Sequence, residues 1–204
     1  MKKEIYNCLL CNATLDEPMT WRALLGRDFP RTICTGCEEK FEPMDYVELE
    51  GNQIISLYKY NDQMKDYLHR YKFMHDVVLA KVFRNEIRRF LFKSKEIIVP
   101  IPIHPIKLKE RTFAHVDELL KAAEIPYEHL LEKISTETQG QKTREERINT
   151  GQLFKVKENV VVKNRDILLV DDIITTGTTV KHAKKVLYEA GAKSVKVFSL
   201  IRSV

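Results

Sequence analysis

Residues Ile167–Val180, ILLVDDIITTGTTV, place two carboxylates, Asp171 and Asp172, at the end of an apolar run. Thr175, Thr176, Gly177, Thr178 and Thr179 follow at once. Gly177 lets the backbone turn tightly, so that consecutive N–H groups can converge on one point. A helix beginning here adds the partial positive charge of its N-terminus, which favours an anion. The threonine hydroxyls contribute further donors. The loop holds no lysine, so it is not a Walker-type nucleotide loop, and a monoester phosphate held by neutral donors fits better. The carboxylates would repel that phosphate; they suit hydroxyl hydrogens or a magnesium ion. The ligand implied has phosphate at one end and vicinal hydroxyls nearby, and a ribose 5-phosphate is the natural candidate. The alternative makes the acids strand-end caps and the threonines turn formers.

A second constellation lies near the N-terminus. All four cysteines fall within the first 37 residues, as Cys8-x-x-Cys11 and Cys34-x-x-Cys37, the pairs separated by 22 residues. Each pair forms a tight turn directing two sulfurs at one point, and two turns complete a tetrahedron. In a reducing compartment lasting disulfides are rare, so zinc is favoured over an iron–sulfur cluster or a redox pair. Four thiolates leave no open coordination position, which argues for a structural metal rather than a catalytic one.

These groups need a scaffold. Ile167–Val170 is continuously apolar, as expected of a parallel strand covered on both faces. From about Thr178 the spacing predicts a helix through Val180, Ala183, Leu187 and Ala190, ended by Gly191. Ser194–Ile201 reads as the next buried strand, so the acid pair and its loop sit at a strand–loop–helix junction. That carboxyl edge is where open α/β sheets bind ligands. Upstream, VELEG and Ile54–Tyr60 read as strands, followed by two helices. In the second, Leu79, Val82, Phe83, Ile87, Phe90 and Leu91 share one face and are expected in the core. Between them, Tyr71-Lys72-Phe73 interleaves aromatics with a base; packing is favoured there over nucleic-acid stacking. Glu96–Pro105 reads as a short buried strand entering a proline-punctuated loop. Lys107, Lys109 and Arg111 then form a basic turn suited to polyphosphate, before a helix to about Ala123. Residues 132–154 are polar and read as a lid or a solvated loop, with Lys142, Arg144 and Arg147 placed to close over an anion.

A length of 204 residues with 44% hydrophobic side chains suits one α/β domain plus a small module. We expect a zinc knuckle over residues 1–50 and the larger domain over 51–204. Residues 1–50 carry six Lys/Arg against ten Asp/Glu, whereas residues 51–115 carry thirteen against six. The positive field therefore sits in the middle third, where it suits a polyphosphate, nucleic acid or an acidic partner, or is simply a solvated surface. No run approaches the roughly 18 apolar residues of a membrane span, and the start lacks a signal peptide's apolar stretch, so a cytoplasmic protein is expected.

ILLVDDIITTGTT resembles the signature of type I phosphoribosyltransferases, which bind 5-phosphoribosyl 1-pyrophosphate. The resemblance implies that Asp171 and Asp172 contact ribose hydroxyls, that Thr175 through Thr179 hold the 5-phosphate, and that Val99–His104 lies at the pyrophosphate loop. Across the whole chain the sequence is similar to the ComF family of competence proteins. The similarity rests on the double CxxC module, Tyr71–Phe73, Val99–Pro105, Arg111, the Arg144–Arg147 block and Phe154. It implies a type I phosphoribosyltransferase-like α/β fold, a mainly parallel sheet flanked by helices behind a four-cysteine zinc module. It also implies ligand contacts from Lys72 and Arg111, and phosphoribosyl pyrophosphate with Mg2+ in the cleft. The function implied is handling of incoming single-stranded DNA in natural transformation, beside a DNA-translocating ATPase. The alternative is an active phosphoribosyltransferase of nucleotide or base salvage. Where many relatives read Arg-Gly-Phe-Asn-Gln, this chain has Arg111-Thr112-Phe113-Ala114-His115.

Overall fold

A computed structural model describes residues 5–15, 21–26, 28–44, 48–49, 52–134 and 153–203. Chain order begins with two short helices, α1 (Trp21–Leu24) and α2 (Thr35–Glu38), then strands β1 (Glu48–Leu49) and β2 (Asn52–Lys59). Helix α3 (Asp62–Phe73), a 3-10 turn (Val77–Lys81) and α4 (Arg84–Leu91) lead to β3 (Ile97–Pro100). Next come α5 (Pro105–Arg111), α6 (His115–Ala122), β4 (Leu131–Lys133) and β5 (Phe154–Val156). The chain closes with β6 (Asp166–Ile174), α7 (Thr178–Glu189) and β7 (Ser194–Arg202). The main sheet has the order β1-β2-β7-β6-β3, parallel except for the β1–β2 pair, and β4 pairs with β5 antiparallel.

The sheet separates two apolar layers, and the period-two alternation of its strands divides β6 between them. Leu168 and Val170 join Tyr67, Tyr71, Phe83, Leu120 and Phe198 on one side. Ile167 and Leu169 join Val99, Leu131, Phe154, Val180 and Leu187 on the other. A strand covered on both faces needs a continuous apolar run, which is what residues 167–170 supply.

The cysteine segment shares the first layer: Cys8, Ile33, Cys37 and Phe41 are buried in the same cluster as Leu57 and Tyr67. Phe41 packs edge-on against Phe83 at 4.9 Å between ring centroids. Arg70 reaches across from α3, its guanidinium donating to the carbonyls of Leu9 and Leu10 at 2.9 and 3.0 Å. The knuckle is thus docked on the α/β layer.

Several elements depart from expectation. The helix expected to carry the Leu79–Leu91 stripe is broken into the 3-10 turn and α4. The β-branched pair Val77-Val78 disfavours a smooth α-helical start. Within α4 the buried positions are Ile87 and Leu91, and Phe90 is 53% exposed rather than in the core. One residue from Leu91 is a rotation of about 100°, enough to carry Phe90 out of the apolar stripe. The basic run after Pro105 is helix α5, not a turn. Pro105 occupies its first turn, His104 Nδ1 accepts from Ile106 N at 3.2 Å, and the straight-chain lysines and leucine favour helix. Thr112, at φ 64°, ends it and separates it from α6, the helix expected up to about Ala123, which runs His115–Ala122. Of the polar 132–154 segment, β4 and β5 form a short ladder; Lys142, Arg144 and Arg147 lie outside the described residues. Among the described residues no helix is long and apolar enough to cross a membrane.

Candidate functional site

The acid pair lies inside β6 and not beyond it. The strand continues to Ile174, and Asp171 still pairs with Ser199 of β7. On the other side β3 stops sooner: its last partner is Val170, and Ile101 N donates to Val170 O at 2.8 Å. Pro100, Pro102 and Pro105 then carry the chain away. Among the described residues no strand pairs with the carboxyl end of β6 on that flank, and the Ile101–His104 loop starts beside the acids.

Adjacent strand positions project to opposite faces, and the two acids accordingly have different surroundings. Asp172 faces α3 and α6 and is 2% exposed. Lys72 Nζ, from the last turn of α3, lies 2.6 Å from its Oδ2, and His115 Nε2, from the start of α6, lies 3.0 Å from the same atom. Arg111 Nη1 is 3.3 Å from His115 Nδ1. Arginine can only donate, so Nδ1 accepts and Nε2, on the Asp172 side, carries the ring hydrogen. Tyr71 Oη donates to His115 O at 2.6 Å and fixes the backbone of that helix start. Burial alone would push the Asp172 carboxyl up, but Lys72 and His115 outweigh it and hold the group far below its usual range.

Asp171 is only half-buried, and its Oδ1 accepts from Asp172 N at 2.9 Å. Burial and the neighbouring Asp172 charge raise it from 3.8 to about 7, against the opposing pull of Lys72. The pair is thus split into a clamped anion and a carboxyl poised near neutrality.

Beyond Ile174 the loop is short. Gly177 takes φ 73°, and a Cβ built on it would meet nothing within 4 Å, so the space above the turn is open. Thr176 Oγ1 lies 2.9 Å from Thr178 Oγ1, and Lys181 N donates to Gly177 O at 2.9 Å as α7 begins. Thr175, Thr176 and Thr178 are exposed, with Thr179 half-buried. The structure therefore sets the threonine loop, a helix mouth and Asp171 along one strand–turn–helix path. Lys72 and Arg111 belong to the same cluster, but they point at Asp172 and His115. By sequence pattern His115 is not a site residue; only the packing of α6 against β6 brings it to Asp172.

The tripeptide Tyr71-Lys72-Phe73 is divided by its helix. Tyr71 is fully buried against Phe113, Lys72 meets Asp172, and Phe73 is 61% exposed with the Arg111 guanidinium 5.3 Å from its ring centre.

At the knuckle, Cys8, Cys11, Cys34 and Cys37 bring their sulfurs within 4.8 Å of one another, and Cys11 and Cys34 are 3.6 Å apart. Zn–S bonds of about 2.3 Å in a regular tetrahedron set sulfurs about 3.8 Å apart, so the donor set fits a four-thiolate metal ion. Burial pushes the Cys8 and Cys37 thiols up and keeps Cys37 high, but at Cys8 the N–H groups of Cys11, Cys34 and Leu10 outweigh it and lower the thiol below its usual range. Those amides stabilise thiolate, the form a metal requires.

Comparison with known proteins accords with this geometry. Residues 110–203 match the family described as phosphoribosyl transferase domain. Competence protein ComFC of Streptococcus pneumoniae is 37% identical, the alignment covering 96% of this chain and 99% of that protein. Competence protein ComFC of Bacillus subtilis is 30% identical over 96% and 95% of the two chains. Among solved structures, the allosteric regulatory enzyme of purine biosynthesis aligns at 24% identity and a TM-score of 0.40, over 59% of this chain and 26% of its own. That last likeness is too loose to say anything of the ligand.

Proposed function

The chain belongs to the ComFC family of competence proteins, and from that premise we propose that it binds 5-phosphoribosyl 1-pyrophosphate with Mg2+ while handling single-stranded DNA during natural transformation. The observation that carries the ligand is the single path from Asp171, through the open turn at Gly177, into the mouth of α7. The 5-phosphate nests among the loop amides and threonine hydroxyls, where the helix terminus favours an anion. The ribose diol meets Asp171, and the pyrophosphate lies towards the Ile101–His104 loop. Magnesium commonly takes one or two carboxylates plus phosphate oxygens, and Asp171 with the ligand's own oxygens meets that requirement. A cation there also relieves the repulsion that raises Asp171.

The knuckle carries a structural zinc ion that holds residues 1–50 as a module on the larger domain of residues 51–204. The protein works in the cytoplasm, beside a DNA-translocating ATPase.

Titration calorimetry with phosphoribosyl pyrophosphate, with and without Mg2+, tests the cleft. Saturable binding strengthened by Mg2+ is expected; absence of binding in both titrations would discard the reading. The same cleft could instead transfer the phosphoribosyl group to a base in nucleotide salvage. Pyrophosphate release that depends on one acceptor base would identify that activity.

A further inference from the structure

We propose that Phe73, flanked by His69 and Arg111 at the end of α3, is a stacking site for a nucleobase. Tyr67 and Tyr71 of the same helix are buried, at 1% and 0% exposure, and make the core contacts that the aromatic content of α3 would suggest. Phe73 makes none of these. It stands 61% exposed at the end of α3 with two flat polar groups against it. The Arg111 guanidinium lies 5.3 Å from its ring centre, and the His69 ring lies at 5.8 Å with 37° between the planes.

Its position relative to the acids follows from a short chain of contacts. Arg111 is 3.3 Å from His115, and His115 is 3.0 Å from Asp172. The same guanidinium therefore faces the exposed ring on one side and, through His115, approaches Asp172 on the other. Lys65, His69 and Phe73 recur at every fourth position, so they form one exposed stripe along α3. A cation, an imidazole and an aromatic face in line suit a planar base joined to a phosphate. The ring gives stacking that any base can use, and the flanking cations answer the phosphate. The proposal extends the phosphoribosyl and single-strand reading by adding a base contact on the α3 side of β6. The base comes either from a free nucleotide or from a strand of nucleic acid.

The test uses the full chain and its Phe73→Leu and Phe73→Tyr variants. Probes are a fluorescent oligothymidylate, an abasic strand of equal length, and adenosine monophosphate. Phe73→Leu is expected to weaken a base-bearing probe about tenfold while abasic binding stays unchanged, and Phe73→Tyr is expected to restore it. Loss confined to the monophosphate assigns the site to free nucleotides; loss on the oligothymidylate assigns it to a strand. Equal binding of every base-bearing probe by wild type and Phe73→Leu overturns the proposal. Phosphoribosyl pyrophosphate affinity should be the same in both proteins. A wild type that fails to bind it defeats the cleft reading while the stacking result still stands or falls by its own probes.

Discussion

Lys72 Nζ sits 2.6 Å from Asp172 Oδ2, and both side chains are almost wholly removed from water. A buried charge left without its partner is costly, because desolvation is no longer offset by attraction. Lys72→Met should therefore destabilise the protein by about 3 kcal/mol in urea denaturation. Combining it with Asp172→Asn should cost less than the sum of the two single changes. Strict additivity would mean that the pair does not act as a unit.

Asp171 should give the protein a pH dependence of its own. Unfolded, the carboxyl loses its proton near pH 4; folded, it does so only at about 7. Between these values the folded chain holds a proton that the unfolded chain has released, so stability falls as pH rises through that window and levels off above it. Asp171→Asn should be more stable than wild type at pH 8, and the difference should shrink towards pH 4. Thermal melts across this range check the sign. Ligand affinity should move the other way in wild type, strengthening as Asp171 ionises, and calorimetry of the variant should show no such rise.

Metal removal should loosen the knuckle. Cys8→Ser or Cys34→Ser removes one of four converging sulfurs, and zinc content measured by atomic emission should drop from about one ion per chain. Because Cys8 and Cys37 belong to the core cluster shared with α3, melting temperature should fall with it. A native protein free of zinc would refute the assignment.

Gly177→Ala isolates the turn. Its φ of 73° is strained for alanine, yet a Cβ there meets no neighbour within 4 Å. A stability loss of about 1 kcal/mol, from backbone conformation alone, is expected in denaturant titration. A much larger loss would point to packing around the turn, and none at all would mean that the loop relaxes freely.

Much of the architecture could be read from residue pattern. The apolar run at 167–170, the helix after Gly177, the strand from Ser194 and the four-cysteine cluster all appear where spacing puts them. These are local matters: a strand covered on both faces must be apolar throughout, and a CxxC turn directs its sulfurs without help from distant residues. Pattern failed where distant packing decided the outcome. Phe90 has the right spacing for the core, yet the 3-10 turn before α4 sets which face is buried. The helix after Pro105 is a different case, since its signals, the proline and histidine at its start, are local but masked by the run of cations.

The acid pair shows the same division most clearly. Sequence alone established that two carboxylates adjoin a donor-rich turn, because neighbours in the chain stay neighbours in space. It was silent on their difference. Asp172 is fixed by Lys72 and His115, residues 100 and 57 positions away, while Asp171 is left half-open on the other face of the strand. Only the packing of α3 and α6 over one side of β6 brings those cations to one acid and not the other, and that asymmetry sets which carboxylate is free to meet a ligand.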